Sequence, residues 1–121
     1  MPLPHESLVA WQRADDLFIR IHELSRTFPN YERYELGSQA RRAAFSVAAN
    51  IVEGFGRYPA KERSQFLRIA LASLAELTYC IHAARRLDYI TAELKEQLDS
   101  EIRRTSAPLR GLLKKGMSIS S

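Results

Sequence analysis

The chain is poor in most of the residue patterns that carry enzyme chemistry. It has one cysteine, Cys80, so no internal disulfide can close, which fits a reducing cytoplasm. Flanked by Tyr79 and Ile81 in an apolar pattern, that cysteine reads as a small core residue rather than a reactive thiol. No apolar run reaches the roughly eighteen residues of a membrane span, so neither a transmembrane helix nor a membrane partner is expected. The opening MPLPHESLVAW has no basic and then apolar stretch of the kind a signal peptide needs. Three histidines, His5, His22 and His82, are scattered and form no His-x-x-x-His or Glu-x-x-His pair. A metal site and the carboxylate-bridged di-iron pattern of helical bundles are thereby disfavoured. There is no glycine-rich phosphate loop, nucleophile elbow or dinucleotide fingerprint. Glu53 and Glu76 could be imagined as an acid–base pair, but no nucleophile, metal or histidine accompanies them. The expectation is a non-enzyme with no cofactor and no small-molecule substrate.

What the chain does have is helical periodicity and arginine. Its 121 residues suffice for one core, placed here at residues 8–115, with flexible termini expected at 1–7 and 116–121. Of 18 basic residues, 14 are arginine, and the net charge is +4. The charge is uneven. Residues 41–86 carry eight basic against three acidic side chains, whereas residues 1–40 carry four against six.

Taken in order, apolar residues at Leu8, Trp11, Ala14, Leu17, Phe18, Ile21 and Leu24 predict a first amphipathic helix, with Ser7 as its N-cap. Trp11 reads as a core anchor. Phe28-Pro29-Asn30 ends the helix near Thr27, since a residue before proline avoids the helical region. A second helix is predicted over Leu36–Phe55, with Gly56 as a C′ residue of positive φ. Gly54, inside the last turn, costs about 1 kcal/mol against alanine, which points to close approach of another helix. Pro59 suits the first position of a third helix running to about Leu87, and Asp88-Tyr89-Ile90 makes a turn. Thr91 caps a fourth helix whose stripe is Leu94, Leu98, Ile102, Thr105, Leu109 and Leu112. Pro108 conflicts with that stripe and predicts a kink near Arg104, or a helix that ends there and restarts. Four helices with short connections imply an all-α, antiparallel up-and-down bundle.

The second helix holds polar groups that plain packing would not require. Asn50, Glu53 and Arg57 fall on one side of it. A carboxylate buried beside Ile51, Val52 and Phe55 would need a hydrogen-bonded partner, with Arg42 and Arg57 the first candidates. Together with Glu76 these make a candidate structural cluster: Arg42, Asn50, Glu53, Arg57 and Glu76.

The run Gln39-x-Arg41-Arg42-Ala43-Ala44-x-Ser46-Val47-x-x-Asn50-Ile51-Val52-Glu53-Gly54-x-Gly56-Arg57, followed by Phe66-Leu67-x-Ile69-Ala70 and Ser73-x-x-Glu76-Leu77, carries a family resemblance. It resembles the small four-helix-bundle proteins encoded in intervening sequences of bacterial 23S ribosomal RNA genes. More distantly it is similar to the accessory variability determinant of diversity-generating retroelements, which binds a reverse transcriptase and nucleic acid. The resemblance covers about Leu8 to Leu113 and implies a bundle that assembles as a ring-shaped homopentamer. One departure is Ala72, where the family often has glycine before the serine.

Two functional readings follow. The first is a cytoplasmic, non-catalytic scaffold that binds RNA, ribosomal RNA in particular, through basic surface residues. Its candidate contacts are Arg41, Arg57, Tyr58, Lys61, Arg63 and Arg68, with Tyr58 available to stack on a base. The alternative is a protein–protein adaptor whose arginines are used on its own carboxylates and whose oligomer presents a docking surface.

Overall fold

The computed structural model describes residues 3–57 and 60–119. Four helices make up the bundle: α1 (Val9–Ser25), α2 (Leu36–Phe55), α3 (Ala60–Arg86) and α4 (Ala92–Ile119). Two short 3-10 turns, Pro4–Ser7 and Asn30–Glu32, precede α1 and α2, and no strand occurs among the described residues. Each helix packs on its neighbours in sequence, and α4 closes the bundle against α1.

The core lies along one face of each helix. Ala10, Ala14, Leu17, Ile21 and Leu24 are the buried line of α1, and Ala40, Ala43, Ala44, Val47 and Ile51 that of α2. Small side chains on α2 let α3 come close. A Cβ on Gly54 would lie 3.1 Å from Phe66 Cβ and 3.2 Å from the Arg63 carbonyl oxygen. The glycine therefore serves a helix contact within one chain. Cys80 is buried, and burial, reinforced by Glu76, pushes its thiol above the ordinary range.

Several local expectations change. Ser7 does not cap α1: the chain forms the 3-10 turn Pro4–Ser7, and extended Leu8 (φ −79°, ψ 127°) leads into the helix without a side-chain cap. Trp11 packs against the core as expected but is only half-buried, edge-on to His5 at 5.0 Å between ring centroids. Gly56 has φ −84°, so α2 ends in a right-handed turn closed by Arg57 N–H on the Gly54 carbonyl. Pro59 lies outside the described residues. Among the described residues the positive φ falls instead on Asp88, at 63°. There the Asp88 and Tyr89 N–H groups donate to the Arg85 and Ala84 carbonyls, the paired bonds of a Schellman ending.

Thr91 Oγ1 accepts from Leu94 N–H at 3.1 Å, so the predicted cap of α4 forms. Pro108 neither ends nor restarts α4, which continues through it. The missing backbone bond costs about 3 kcal/mol in an isolated helix. Here Leu109, fully buried just beyond the proline, and Leu112 and Leu113 hold the last turns on the core.

Candidate functional site

The corner between α2 and α3 gathers most of the singled-out residues. Arg57 Nη2 donates to Glu53 Oε2 at 2.9 Å, and its Nη1 stands 3.7 Å from Glu62 Oε1. The same guanidinium sits 5.2 Å from the centroid of Phe66. Arg63 mirrors it from the other helix, 4.9 Å from the ring of Phe55. Arginine over an aromatic face is held by the ring quadrupole and keeps its stem on apolar surface. Contrary to the expectation of a buried carboxylate, Glu53 lies in solvent. Its side chain is 55% exposed, because it points off the edge of the apolar stripe.

Arg42 and Glu76 do not join this pair. Both are exposed, and among the described residues neither has a hydrogen bond or an ion pair. Asn50 is engaged elsewhere. Its Nδ2 donates to the Ser46 carbonyl (2.8 Å) and lies 3.0 Å from Ser46 Oγ, which in turn is 2.7 Å from Ser73 Oγ on α3. Of the expected cluster the Arg57–Glu53 bond forms, while Asn50 belongs to a separate small polar seam. Ser46, one helical turn before Asn50, was the sequence signal for it.

Of the candidate nucleic-acid contacts, Arg41 is structural. Its Nη1 donates to Ser25 Oγ (3.0 Å) and its Nη2 to the Arg33 carbonyl (2.9 Å), tying the end of α1 and the following loop to α2. Arg57 is engaged by Glu53, Glu62 and the Phe66 ring, while Arg63 stacks on Phe55 with its Nε buried and without a hydrogen-bond partner. Lys61 and Arg68 are exposed, and Tyr58 lies outside the described residues. Of the described candidates, Arg41 is thus tied to the other end of α2 and Arg57 is paired within the chain.

Sequence reasoning missed a cluster at the opposite pole. Glu32 is only 8% exposed, with Oε1 accepting from Leu36 N–H at 3.2 Å and Oε2 from Tyr89 Oη at 2.6 Å. The carboxylate sits at the positive end of α2, where an anion is favoured. Tyr31 Oη lies 3.5 Å from Tyr89 Oη, and Phe28 packs on the Tyr89 ring at 5.5 Å. Gly37 makes room for this closure, since its Cβ would meet the Glu32 carbonyl oxygen at 2.9 Å.

Between α1 and α4 runs a polar groove of about 440 Å³, spanned by a 2.9 Å ion pair from Arg20 to Glu101. No group of three metal-ligating side chains occurs among the described residues. The outer surfaces of α2 and α3 are more distinctive. On α2, Phe45 is 59% exposed and Val52 37%; on α3, Ile69 is 47% and Tyr79 69% exposed. Residues Lys61–Arg86 of α3 are long and apolar enough, by length and composition, to cross a bilayer, with only 33% of the most apolar window buried. Charged residues interrupt the helix often enough that no uninterrupted apolar run marks that excess.

A family model described as 23S rRNA-intervening sequence protein matches residues 6–111. The chain belongs to that family. A solved structure, that of a protein of unknown function from the S23 ribosomal protein family of Bacteroides thetaiotaomicron VPI-5482, superposes on this family member with a TM-score of 0.82. The two share 24% sequence identity over 88% of this chain and 96% of the other, a likeness of fold. No curated protein matches the chain.

Proposed function

We infer that this 23S rRNA-intervening sequence family member is a cytoplasmic, non-catalytic scaffold that works as a cyclic homo-oligomer. The observation that carries the reading is the apolar surface left on the outside of a single chain. Phe45 and Val52 on α2, and Ile69 and Tyr79 on α3, stand in solvent while the core stripes of the same helices are fully used. Isolated apolar residues on a surface are ordinary, but two lines of them on adjacent helices suit burial against another copy. Five subunits is the number that the family resemblance implies. Light scattering at micromolar concentration tests the reading. A multiple of 13.8 kDa is expected, and a mass of 13.8 kDa would overturn it.

RNA is the second reading, favoured by the +4 net charge and by the exposed Lys61 and Arg68. It is weaker at the α2–α3 corner than the sequence suggested, because Arg57 is already paired with Glu53 and Glu62. Binding of this kind would be electrostatic and would fall about a thousandfold between 50 and 200 mM salt for six neutralised phosphates. An RNA titration at the two salt concentrations tests it, and no binding at low salt would remove it.

A further inference from the structure

The two exposed strips differ in charge as well as in helix. On α2, Phe45 meets Phe18 of α1 edge-on at 5.8 Å between centroids. Beside them Arg41, Arg42 and His22 complete a shallow, mostly apolar groove of about 410 Å³. On α3, Ile69, Ala72, Glu76 and Tyr79 recur at intervals of three and four, all exposed, so they form one ridge. The groove thus has a cation beside its aromatic wall, and the ridge has an anion between its isoleucine and its tyrosine. Arg42 on the groove and Glu76 on the ridge each lack a hydrogen bond or ion pair among the described residues, as several other surface charges of the chain do.

We propose that the occupant of the groove is the α3 ridge of a second copy of this chain, with Arg42 of one subunit paired to Glu76 of the next. The inference rests on the self-association reading and adds which faces meet. A groove lined by cations does not complement itself, and neither does a ridge that presents a carboxylate. Each complements the other, so the contact is head-to-tail and propagates around a closed ring. Tyr79 supplies the kind of large, amphipathic anchor that dominates such contacts, and Arg42 the fork that reads a carboxylate.

The test is charge reversal followed by mixing, read as mass by sedimentation equilibrium. Arg42→Glu and Glu76→Arg should each weaken association about a hundredfold, because like charges are then forced together. Both positions are exposed, and circular dichroism of each variant should retain the helical signal. Arg42→Gln and Glu76→Gln, which remove charge without reversing it, should weaken association less. The Arg42→Glu/Glu76→Arg double variant should restore the oligomer, since every contact is again of opposite charge, whereas mixing the two single variants should restore it only in part, because a ring of five cannot alternate two chains without one like-charge contact. A wild-type mass of one chain would overturn self-association itself. An oligomeric wild type with oligomeric single variants would overturn only the pairing. A double variant that stays dissociated, or a mixture that gains no association at all over the single variants, would overturn the pairing.

Discussion

Tyr89 Oη and Glu32 Oε2, 57 residues apart in the chain, lie 2.6 Å from each other and lock the α3–α4 turn onto the start of α2. The buried carboxylate also accepts from Leu36 N–H. Glu32→Ala strands both donors and should cost about 2 kcal/mol in chemical denaturation. Its removal should loosen this pole first, seen as faster hydrogen exchange at Leu36 than in the middle of α2.

The same bond sets a pH dependence. The hydrogen bond to Glu32, then that to Tyr31, pushes the Tyr89 phenol above its ordinary value of 10. The folded chain therefore holds this proton more tightly than the unfolded chain does. That contribution is complete below pH 10 and is lost as pH rises toward the folded-state pKa. Tyr89→Phe should be less stable than wild type at pH 8, and the gap should narrow in melts above pH 10. A gap independent of pH would contradict the assignment.

Two glycines are predicted to resist alanine for different reasons. At Gly54 the gain in helix propensity, about 1 kcal/mol, opposes crowding against Phe66 Cβ and the Arg63 carbonyl, so the net loss should be small, about 1 kcal/mol. At Gly37 the obstacle is a backbone oxygen at 2.9 Å, and the loss should be larger, about 2 kcal/mol. Urea titrations of the two variants give the order directly.

Asp88 offers the opposite sign. It occupies the left-handed C′ position with φ 63°, where glycine is free of the Cβ penalty. The ion pair it would give up, to Arg85 at 3.1 Å, is exposed and worth under about 0.5 kcal/mol. Asp88→Gly should therefore stabilise the protein, by about 0.5–1 kcal/mol, as measured by the denaturation midpoint.

The helices and most of the core were legible in the sequence because the 3.6-residue stripe is a local signal. Leu17, Ile21, Leu98 and Leu109 lie where their spacing puts them. Gly54 was legible too, since a glycine that weakens a helix needs a compensating neighbour. The Glu32–Tyr89 contact was not, because nothing local marks two residues that meet only after α3 has folded back. Glu53 misled for a geometric reason. Adjacent to apolar Val52 and Phe55 in sequence, it projects from the edge of the stripe and pairs with Arg57 in solvent. Glu53→Gln should accordingly change stability by under about 0.5 kcal/mol, far less than loss of a buried pair. Pro108 was read from the broken backbone bond, while the burial of Leu109 beyond it keeps the helix whole.

Sedimentation velocity of wild type beside Phe45→Ser and Ile69→Ser tests the self-associating scaffold most directly. Both side chains are about half exposed in the single chain, so their loss should leave the fold in place. The account predicts a wild-type species of several 13.8 kDa chains and a shift of both variants toward one chain. Variants that sediment with wild type, or a wild type that runs as one chain, would contradict it.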